Sequence, residues 1–123
     1  MSLILLVEDV EDNRELALLL LESEGHTVIE AHNGLQAVAL AHAEHPDLIL
    51  MDLSLPEVDG WEATRRIQAD PACAGIPIVA VTAHAMAGDR DRVMAAGFKG
   101  YITKPIEVGT FAAQVAAYLP ANG

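Results

Sequence analysis

Residues 48–52 read Leu-Ile-Leu-Met-Asp, an apolar run that ends directly in an acidic residue. Three further runs end in polar residues in the same way: Leu3–Val7 before Glu8-Asp9, Ile78–Val81 before Thr82, and Tyr101–Thr103 before Lys104. Short continuous apolar runs are typical of parallel strands that are covered on both faces. Because ligands bind outside the carboxyl ends of such strands, the sequence predicts that these polar side chains share one crevice.

The composition indicates a folded protein that does not bind nucleic acid. Hydrophobic residues make up 52% of the 123 positions, so we expect one domain over residues 1–123, with no output domain. The 18 acidic and 7 basic residues give a net charge of -11, which repels phosphate backbones. We expect no membrane insertion and a cytoplasmic location, since no apolar stretch is long enough to span a bilayer. Cys73 is the only cysteine, which excludes an internal disulfide.

Strand-like and helix-like segments alternate along the chain, as in βαβ units. The predicted strands are Leu3–Val7, Val28–Ala31, Asp47–Met51, Ile78–Thr82 and Lys99–Thr103. The predicted helices are Asn13–Glu24, Gly34–Glu44, Trp61–Ala69, Met86–Ala96 and Val108–Leu119. For the first helix we predict an N-cap at Asp12 paired with Glu15, and an inward stripe of Leu16, Leu19, Leu20 and Ser23.

The acidic residues at the predicted strand ends favour a metal ion and phosphoryl chemistry. Glu8, Asp9 and Asp52 would repel one another in a single crevice unless a cation offset their charge. Mg²⁺ prefers oxygen ligands and is typically held by one or two carboxylates together with a phosphate. An aspartate carboxylate such as that of Asp52 can attack a phosphoryl donor and form an acyl phosphate.

Lys104 and Thr82 supply the groups that a transferred phosphoryl group needs on its other side. Phosphoryl transfer depends mostly on positioning and on neutralising the charge of the phosphoryl oxygens. An ammonium at Lys104 and a hydroxyl at Thr82 suit that task, although either residue alone would be an ordinary surface lysine or strand threonine. Their joint placement at successive strand ends is what indicates a site.

The chain resembles the receiver domains of two-component response regulators. The similarity extends over essentially all 123 residues and depends on motifs in the expected order: Glu8-Asp9, Leu50-Met51-Asp52-Leu53-Ser54-Leu55-Pro56, Asp59-Gly60, Val81-Thr82-Ala83 and Tyr101-Ile102-Thr103-Lys104-Pro105. The resemblance implies an α/β, flavodoxin-like, doubly wound (βα)5 fold whose five parallel strands lie in the order 2-1-3-4-5. It also implies a phosphorelay switch that takes a phosphoryl group from a histidine kinase or phosphotransfer domain and acts on a downstream protein target.

The resemblance assigns a role to each matching position. Asp52 corresponds to the phosphoacceptor, Tyr101 to an aromatic switch, and Lys104-Pro105 to a cis peptide bond. The Mg²⁺ ligands correspond to Asp9, Asp52 and the backbone carbonyl of Ser54, with Glu8 as an outer-shell acid that acts through water. The phosphate contacts correspond to Thr82, Lys104 and the backbone amide of Ala83. The family catalyses only its own phosphorylation and dephosphorylation, and the free-standing cell-division regulators and the receivers of hybrid histidine kinases both fit this pattern.

Three alternatives use a similar sheet or similar chemistry. A small Mg²⁺-dependent phosphatase of the haloacid dehalogenase type would need a second aspartate where Ser54 stands. A flavodoxin-like FMN binder would need a phosphate loop after the first strand, where Glu8-Asp9 would repel the phosphate. A receiver used only for docking would not need its chemical positions intact.

His42 and His45 lie three residues apart near the end of the second predicted helix. A zinc site there would need further ligands, and no cysteine or acidic residue lies at a fitting sequence offset. We therefore predict a solvent-exposed histidine pair with no metal, and an incidental role for Cys73.

Overall fold

A computed structural model describes residues 2–53, 55, 59–83 and 87–119, except for the side chains of residues 87–89. The strands are β1 (Leu3–Val7), β2 (Thr27–Ala31), β3 (Leu48–Asp52), β4 (Ile78–Thr82) and β5 (Gly100–Thr103). All neighbouring strands pair in parallel, and the sheet order is β2-β1-β3-β4-β5. This is the strand order that the family resemblance implies, so the predicted flavodoxin-like (βα)5 fold is confirmed.

A helix follows each strand, as parallel pairing requires. The helices are α1 (Glu11–Ser23), α2 (Gly34–Glu44), α3 (Gly60–Ala69), α4 (Ala87–Ala95) and α5 (Phe111–Ala116). The predicted start of the fourth helix at Met86 lies outside the described residues.

Two apolar cores lie on opposite faces of the sheet because successive strand side chains point to opposite sides. Leu5 and Ile49 belong to the core that also contains residues of α2, α3 and α4, such as Ala41, Ile67 and Val93. The second core joins the alternate strand residues to α1 and α5: Ile4, Leu6, Leu48, Leu50, Leu21 and Phe111 are among its members. Both faces of the central strands are therefore buried, which explains their uninterrupted apolar sequence.

The first helix differs from the prediction in its start and in its buried face. It begins at Glu11, and its N-cap residue is Val10, which makes no side-chain capping bond, so the predicted cap at Asp12 is wrong. Leu19 is 66% exposed, whereas Ala17 and Leu21 are buried. Five apolar residues in succession, from Ala17 to Leu21, leave the helical period ambiguous, and the packing against the sheet selects the face.

The last helix is shorter than predicted. It runs over Phe111–Ala116 instead of Val108–Leu119, and Val108 is 65% exposed before it. Phe111 and Val115 are buried, as the predicted apolar face requires. The apolar spacing thus identifies the face of the helix but overestimates its length.

Candidate functional site

The sheet register brings the predicted site residues to one edge. Val7 of β1 pairs with Met51 of β3, so Glu8 and Asp52 are the next residues along neighbouring strands. Thr82 ends β4 and pairs with Thr103, and Lys104 follows directly. Residues widely separated in sequence therefore meet outside the carboxyl ends of four adjacent strands, as predicted.

Lys104 makes ion pairs with two carboxylates. Its Nζ lies 2.9 Å from Oε1 of Glu8 and 3.1 Å from Oδ2 of Asp52. Glu8 and Asp52 are almost fully buried, with 3% and 2% of their surfaces exposed. Buried charges are retained when they are paired, and here one ammonium is shared between two acids.

Backbone hydrogen bonds hold the residues that carry these groups. The N–H of Lys104 donates to the carbonyl of Thr82 at 2.8 Å, and the N–H of Glu8 donates to the carbonyl of Ala31 at 3.1 Å. Arg14 of α1 donates from Nη1 to the Glu8 carbonyl at 3.1 Å, and its Nε lies 3.3 Å from Oε1 of Glu30. Arg14 was not predicted from the sequence, because an isolated arginine in a helix resembles any surface cation.

The carboxylates of Glu8, Asp9 and Asp52 form a group that fits a metal ion. One oxygen of each lies within 4.8 Å of the others, and Asp9 is exposed at the mouth of the group. A donor set made only of oxygens suits a hard cation such as Mg²⁺ or Ca²⁺. The predicted ligand from Ser54, its backbone carbonyl, lies outside the described residues.

Burial and the neighbouring carboxylate both shift the pKa of Glu8. Burial raises the pKa of Glu8 to about 7, and a hydrogen bond with Asp52 adds to the increase, while Lys104 opposes it. Burial alone would lower the pKa of Lys104, but the hydrogen bond to Glu8 and the charge of Asp52 raise it above its ordinary value. The site therefore holds more negative charge than its single ammonium balances.

The start of α3 packs directly against the strand end that carries Asp52. Asp59 caps the helix by accepting a hydrogen bond on Oδ1 from the N–H of Glu62 at 2.9 Å. A Cβ atom on Gly60 would lie 2.2 Å from the backbone oxygen of Asp52 and 2.8 Å from Cα of Leu53. Only glycine fits this close approach, which explains why a glycine follows the capping residue Asp59.

Tyr101 of β5 is half-buried, and its hydroxyl contacts α4. The hydroxyl oxygen accepts hydrogen bonds from Nε of Arg90 at 3.0 Å and from Nη2 at 2.7 Å. The guanidinium carbon lies 5.4 Å from the ring centroid. Arg90 was not singled out by the sequence, where it is one of several charges on a helix face.

The remaining predicted positions are also accounted for. Thr82 is buried at the end of β4, and Ala83 follows it in an exposed bend. The Lys104–Pro105 peptide bond is cis, which confirms that prediction.

A family comparison accounts for this arrangement. The sequence model of the family described as the response regulator receiver domain matches residues 4–116 of the chain. The chain belongs to this family. As a receiver domain of two-component signalling, it has a phosphoacceptor role, and of the alternatives raised by the sequence the receiver domain is the one supported.

Named relatives are similar to this receiver domain over nearly its whole length. The polar-differentiation response regulator DivK of Brucella ovis is 45% identical over 116 residues, which are 94% of each chain. The receiver domain of the sensor histidine kinase PA1611 of Pseudomonas aeruginosa, solved with a magnesium ion in its active-site cleft, is 38% identical, with a TM-score of 0.86 and coverage of 95% and 96%. The chemotaxis protein CheY4 of Vibrio cholerae shares the fold, with a TM-score of 0.90 at 24% identity and coverage of 97% and 99%.

The length and the hydropathy of a helix decide whether it can cross a membrane. Within the described part of the chain, none combines the length and apolar character that crossing a bilayer requires.

Proposed function

We propose that Asp52 is the phosphoacceptor of this receiver domain. The observation that carries the proposal is the position of Lys104, whose ammonium lies between Glu8 and Asp52 although the two acids are 44 residues apart in sequence. A buried carboxylate beside an ammonium and a second carboxylate has the groups that an aspartyl phosphate requires.

The proposed reaction forms one bond and breaks another at phosphorus. A carboxylate oxygen of Asp52 attacks the phosphorus of a phosphohistidine or of acetyl phosphate and forms an acyl phosphate. The bond from phosphorus to the donor breaks, and its electron pair leaves with the imidazole nitrogen or the acetate oxygen. Lys104 stays within hydrogen-bond distance of Asp52 and offsets the charge that accumulates on the phosphoryl oxygens.

We propose that Mg²⁺ is the metal of this site, held by Asp9, Asp52 and the Ser54 carbonyl, with Glu8 acting through water. The grouping of three carboxylates within 4.8 Å supports the assignment. The magnesium ion coordinated in the active-site cleft of the Pseudomonas aeruginosa relative supports it as well. When bound, Mg²⁺ supplies positive charge that neutralises the acidic group and the transferred phosphoryl group.

The phosphate contacts and the switch are proposed at the residues that line the same edge. Thr82 is the last residue of β4, Asp52 pairs with the residue before it, and Ala83 comes next, so a hydroxyl and an N–H lie at the same edge of the sheet as Asp52. Movement of Thr82 toward a phosphoryl group would leave space for Tyr101 to turn inward. Such a change is a shift between two populated states and needs a differential free energy of only a few kcal/mol.

A pocket between α4, β5 and α5 is the surface where a partner protein would detect this conformational change. Its lining residues include Arg90, Met94, Tyr101, Thr103, Gln114 and Tyr118. Because Tyr101 and its partner Arg90 both contribute to the wall, a turn of the ring would change the shape and the charge of the pocket. We propose that a downstream protein binds here and that a histidine kinase or phosphotransfer domain supplies the phosphoryl group.

The proposed role is that of a signalling domain over residues 1–123 in the cytoplasm. In this role the protein catalyses only its own phosphorylation and dephosphorylation. Its single cysteine, Cys73, is buried and suits a reducing compartment.

Labelling by acetyl phosphate in the presence of Mg²⁺ tests the acceptor. We expect the wild-type chain to gain one phosphoryl group by intact mass, and Asp52→Asn to gain none, because an amide cannot form the acyl phosphate. Asp12→Asn is the matched control, since Asp12 is exposed on α1 and is not one of the three grouped carboxylates. Labelling of Asp52→Asn at full yield would show that the acceptor is assigned wrongly.

A further inference from the structure

A second cluster of metal-ligating side chains lies at the opposite end of the sheet. His42, in the last turn of α2, and Asp70 and Cys73, after α3, are at the amino ends of the strands, away from Asp52. Nδ1 of His42 lies 2.6 Å from Oδ2 of Asp70, and Sγ of Cys73 lies 3.6 Å from the same oxygen. One ligand atom of each residue lies within 4.8 Å of the other two.

The two histidines of the predicted pair differ in their surroundings. Both histidines are exposed, as expected, but His42 has an acidic and a thiol neighbour. Asp70 is 28 residues from His42, and only the packing of α3 beside α2 brings the two side chains together. Sequence offsets therefore do not reveal Asp70 and Cys73 as candidate ligands.

The backbone orients two of the three side chains. Oδ1 of Asp70 accepts a hydrogen bond from the N–H of Ala72 at 2.9 Å, which leaves Oδ2 directed to His42 and Cys73. The N–H of Cys73 donates to the backbone oxygen of Asp70 at 2.9 Å, so both residues belong to one turn. A carboxylate that is fixed by such a second contact is a better ordered metal ligand.

One of the distances between the ligand atoms, that from sulfur to oxygen, already equals the value in a tetrahedral zinc site. With Zn–S of about 2.3 Å and Zn–O of about 2.1 Å, tetrahedral angles place sulfur and oxygen about 3.6 Å apart. The observed distance from Sγ of Cys73 to Oδ2 of Asp70 is 3.6 Å. The distance from Nδ1 of His42 to Oδ2 of Asp70 would have to widen from 2.6 Å to about 3.3 Å. The side chain of His42 is 67% exposed and has room for this movement.

We propose that His42, Asp70 and Cys73 bind a Zn²⁺ ion, with a water molecule as the fourth ligand. The bonds formed are from the metal to Nδ1, Oδ2 and Sγ, and the thiol proton passes to solvent while the imidazole proton resides on Nε2. Mixed nitrogen, oxygen and sulfur donors select a borderline ion such as Zn²⁺ over Mg²⁺. The exposed imidazole and the 28% exposed carboxylate leave a path to the buried sulfur.

The metal-free cluster keeps its thiol protonated. Burial raises the pKa of the Cys73 thiol, and the charge of Asp70 adds to the increase. Coordination to a metal ion deprotonates a thiol outright, so a bound thiolate reports metal binding directly. The ion would join α2 to the turn after α3.

Titration of the full chain with Co²⁺ and Zn²⁺, in excess Mg²⁺ to occupy the acidic group, tests the proposal. We expect one Co²⁺ per chain, with a thiolate-to-cobalt charge-transfer band and tetrahedral ligand-field bands, and displacement of Co²⁺ by Zn²⁺. His42→Gln should weaken Zn²⁺ binding more than about tenfold, since the loss of an outer contact alone costs 10- to 100-fold. Cys73→Ser should abolish the charge-transfer band.

Two controls separate this site from other binding. His45→Gln should keep the band and the affinity, because His45 is outside the proposed ligand set, although its ring lies 6.3 Å from that of His42. His42 is exposed, so its replacement leaves the fold intact even if Cys73→Ser is destabilised. Absence of the thiolate band in the wild type, or Zn²⁺ affinity that is unchanged in His42→Gln, would overturn the proposal.

Discussion

Lys104 offsets only part of the negative charge of the site in the absence of a metal ion. Its ammonium contacts Glu8 at 2.9 Å and Asp52 at 3.1 Å, and Asp9 adds a third carboxylate nearby. One positive charge cannot offset three negative ones at such short range, so the cluster gains from either a proton or a cation. Burial and the neighbouring Asp52 raise the pKa of Glu8, so a proton on Glu8 is one way to reduce this negative charge.

Glu8 should make the stability of the metal-free protein depend on pH. Its pKa is about 7 in the folded chain against an ordinary 4.5, so between these values the folded state binds more protons than the unfolded state. The free energy of unfolding should therefore fall as the pH rises through this window. The stabilisation that comes from the proton on Glu8 is complete below pH 4.5 and is lost above about pH 7. Urea denaturation in EDTA from about pH 5 to about pH 8 measures this dependence.

Glu8→Gln keeps the size of the side chain and removes its titration, so its stability should change less with pH over the same window. Glu22→Gln, at an exposed position of α1, is the control and should follow the wild type. Equal pH slopes for the wild type and Glu8→Gln would show that another group carries the proton.

The contact between α3 and β3 fixes the backbone next to the phosphoacceptor. A Cβ atom at Gly60 would lie 2.2 Å from the backbone oxygen of Asp52 and 2.8 Å from Cα of Leu53, and neither of these backbone atoms can move aside cheaply. We expect Gly60→Ala to lower the free energy of unfolding by about 1–3 kcal/mol, as overpacking of a close contact does. Gly75→Ala is the control, since no atom lies within 4 Å of its added Cβ. Equal urea midpoints for the two variants would contradict the close approach.

The contact between α4 and β5 restrains the proposed switch. Loss of the charged hydrogen bonds from Arg90 should destabilise the observed position of the Tyr101 ring by about 1 kcal/mol. This corresponds to a change of about fivefold in the ratio of the two ring positions. In unphosphorylated Arg90→Ala, we expect the fluorine NMR signal of fluorotyrosine at Tyr101 to shift toward its position in the wild type with beryllofluoride. Labelling by acetyl phosphate should persist.

Arg92→Ala removes the same charge from the same helix, where Arg92 stacks over Trp61 at 4.9 Å. This control should leave the Tyr101 signal in place. A signal that moves equally in both variants would assign the effect to charge and not to the hydrogen bonds.

The elements show which features the sequence reveals and which it hides. The apolar runs that end in Asp52 and Thr82 predicted β3 and β4 closely, because strands buried on both faces allow few polar residues. The predicted buried face of the leucine-rich α1 was wrong, since Leu19 and Leu21 are equally apolar and only packing buries Leu21. Contacts between side chains of different elements, such as Arg90 with Tyr101 and His42 with Asp70, leave no periodic signal in the sequence.

The site itself was more predictable than these pairings. Parallel topology alone brings the ends of adjacent strands together, so Glu8, Asp52, Thr82 and Lys104 were predicted to meet once the strands were identified. The contact of Lys104 with two acids at once depends on side-chain reach and burial, which the sequence does not encode locally.

At the scale of the whole molecule, the charge of -11 makes the protein sensitive to any cation. Self-repulsion is relieved by salt in general, whereas the acidic group at the edge of the sheet offers a specific position for a divalent ion. The two effects differ in their dependence on ionic strength and on Asp52.

We expect Mg²⁺ to raise the melting temperature and EDTA to reverse the increase, because an ion that binds only the folded state stabilises it by about 2.7 kcal/mol at 100 times its Kd. Differential scanning calorimetry with NaCl matched for ionic strength separates binding from screening. Asp52→Asn should lose most of the increase, and Asp12→Asn should keep it, although both remove one negative charge. If NaCl reproduces the full increase, the acidic group does not bind Mg²⁺ and only the net charge of the molecule responds.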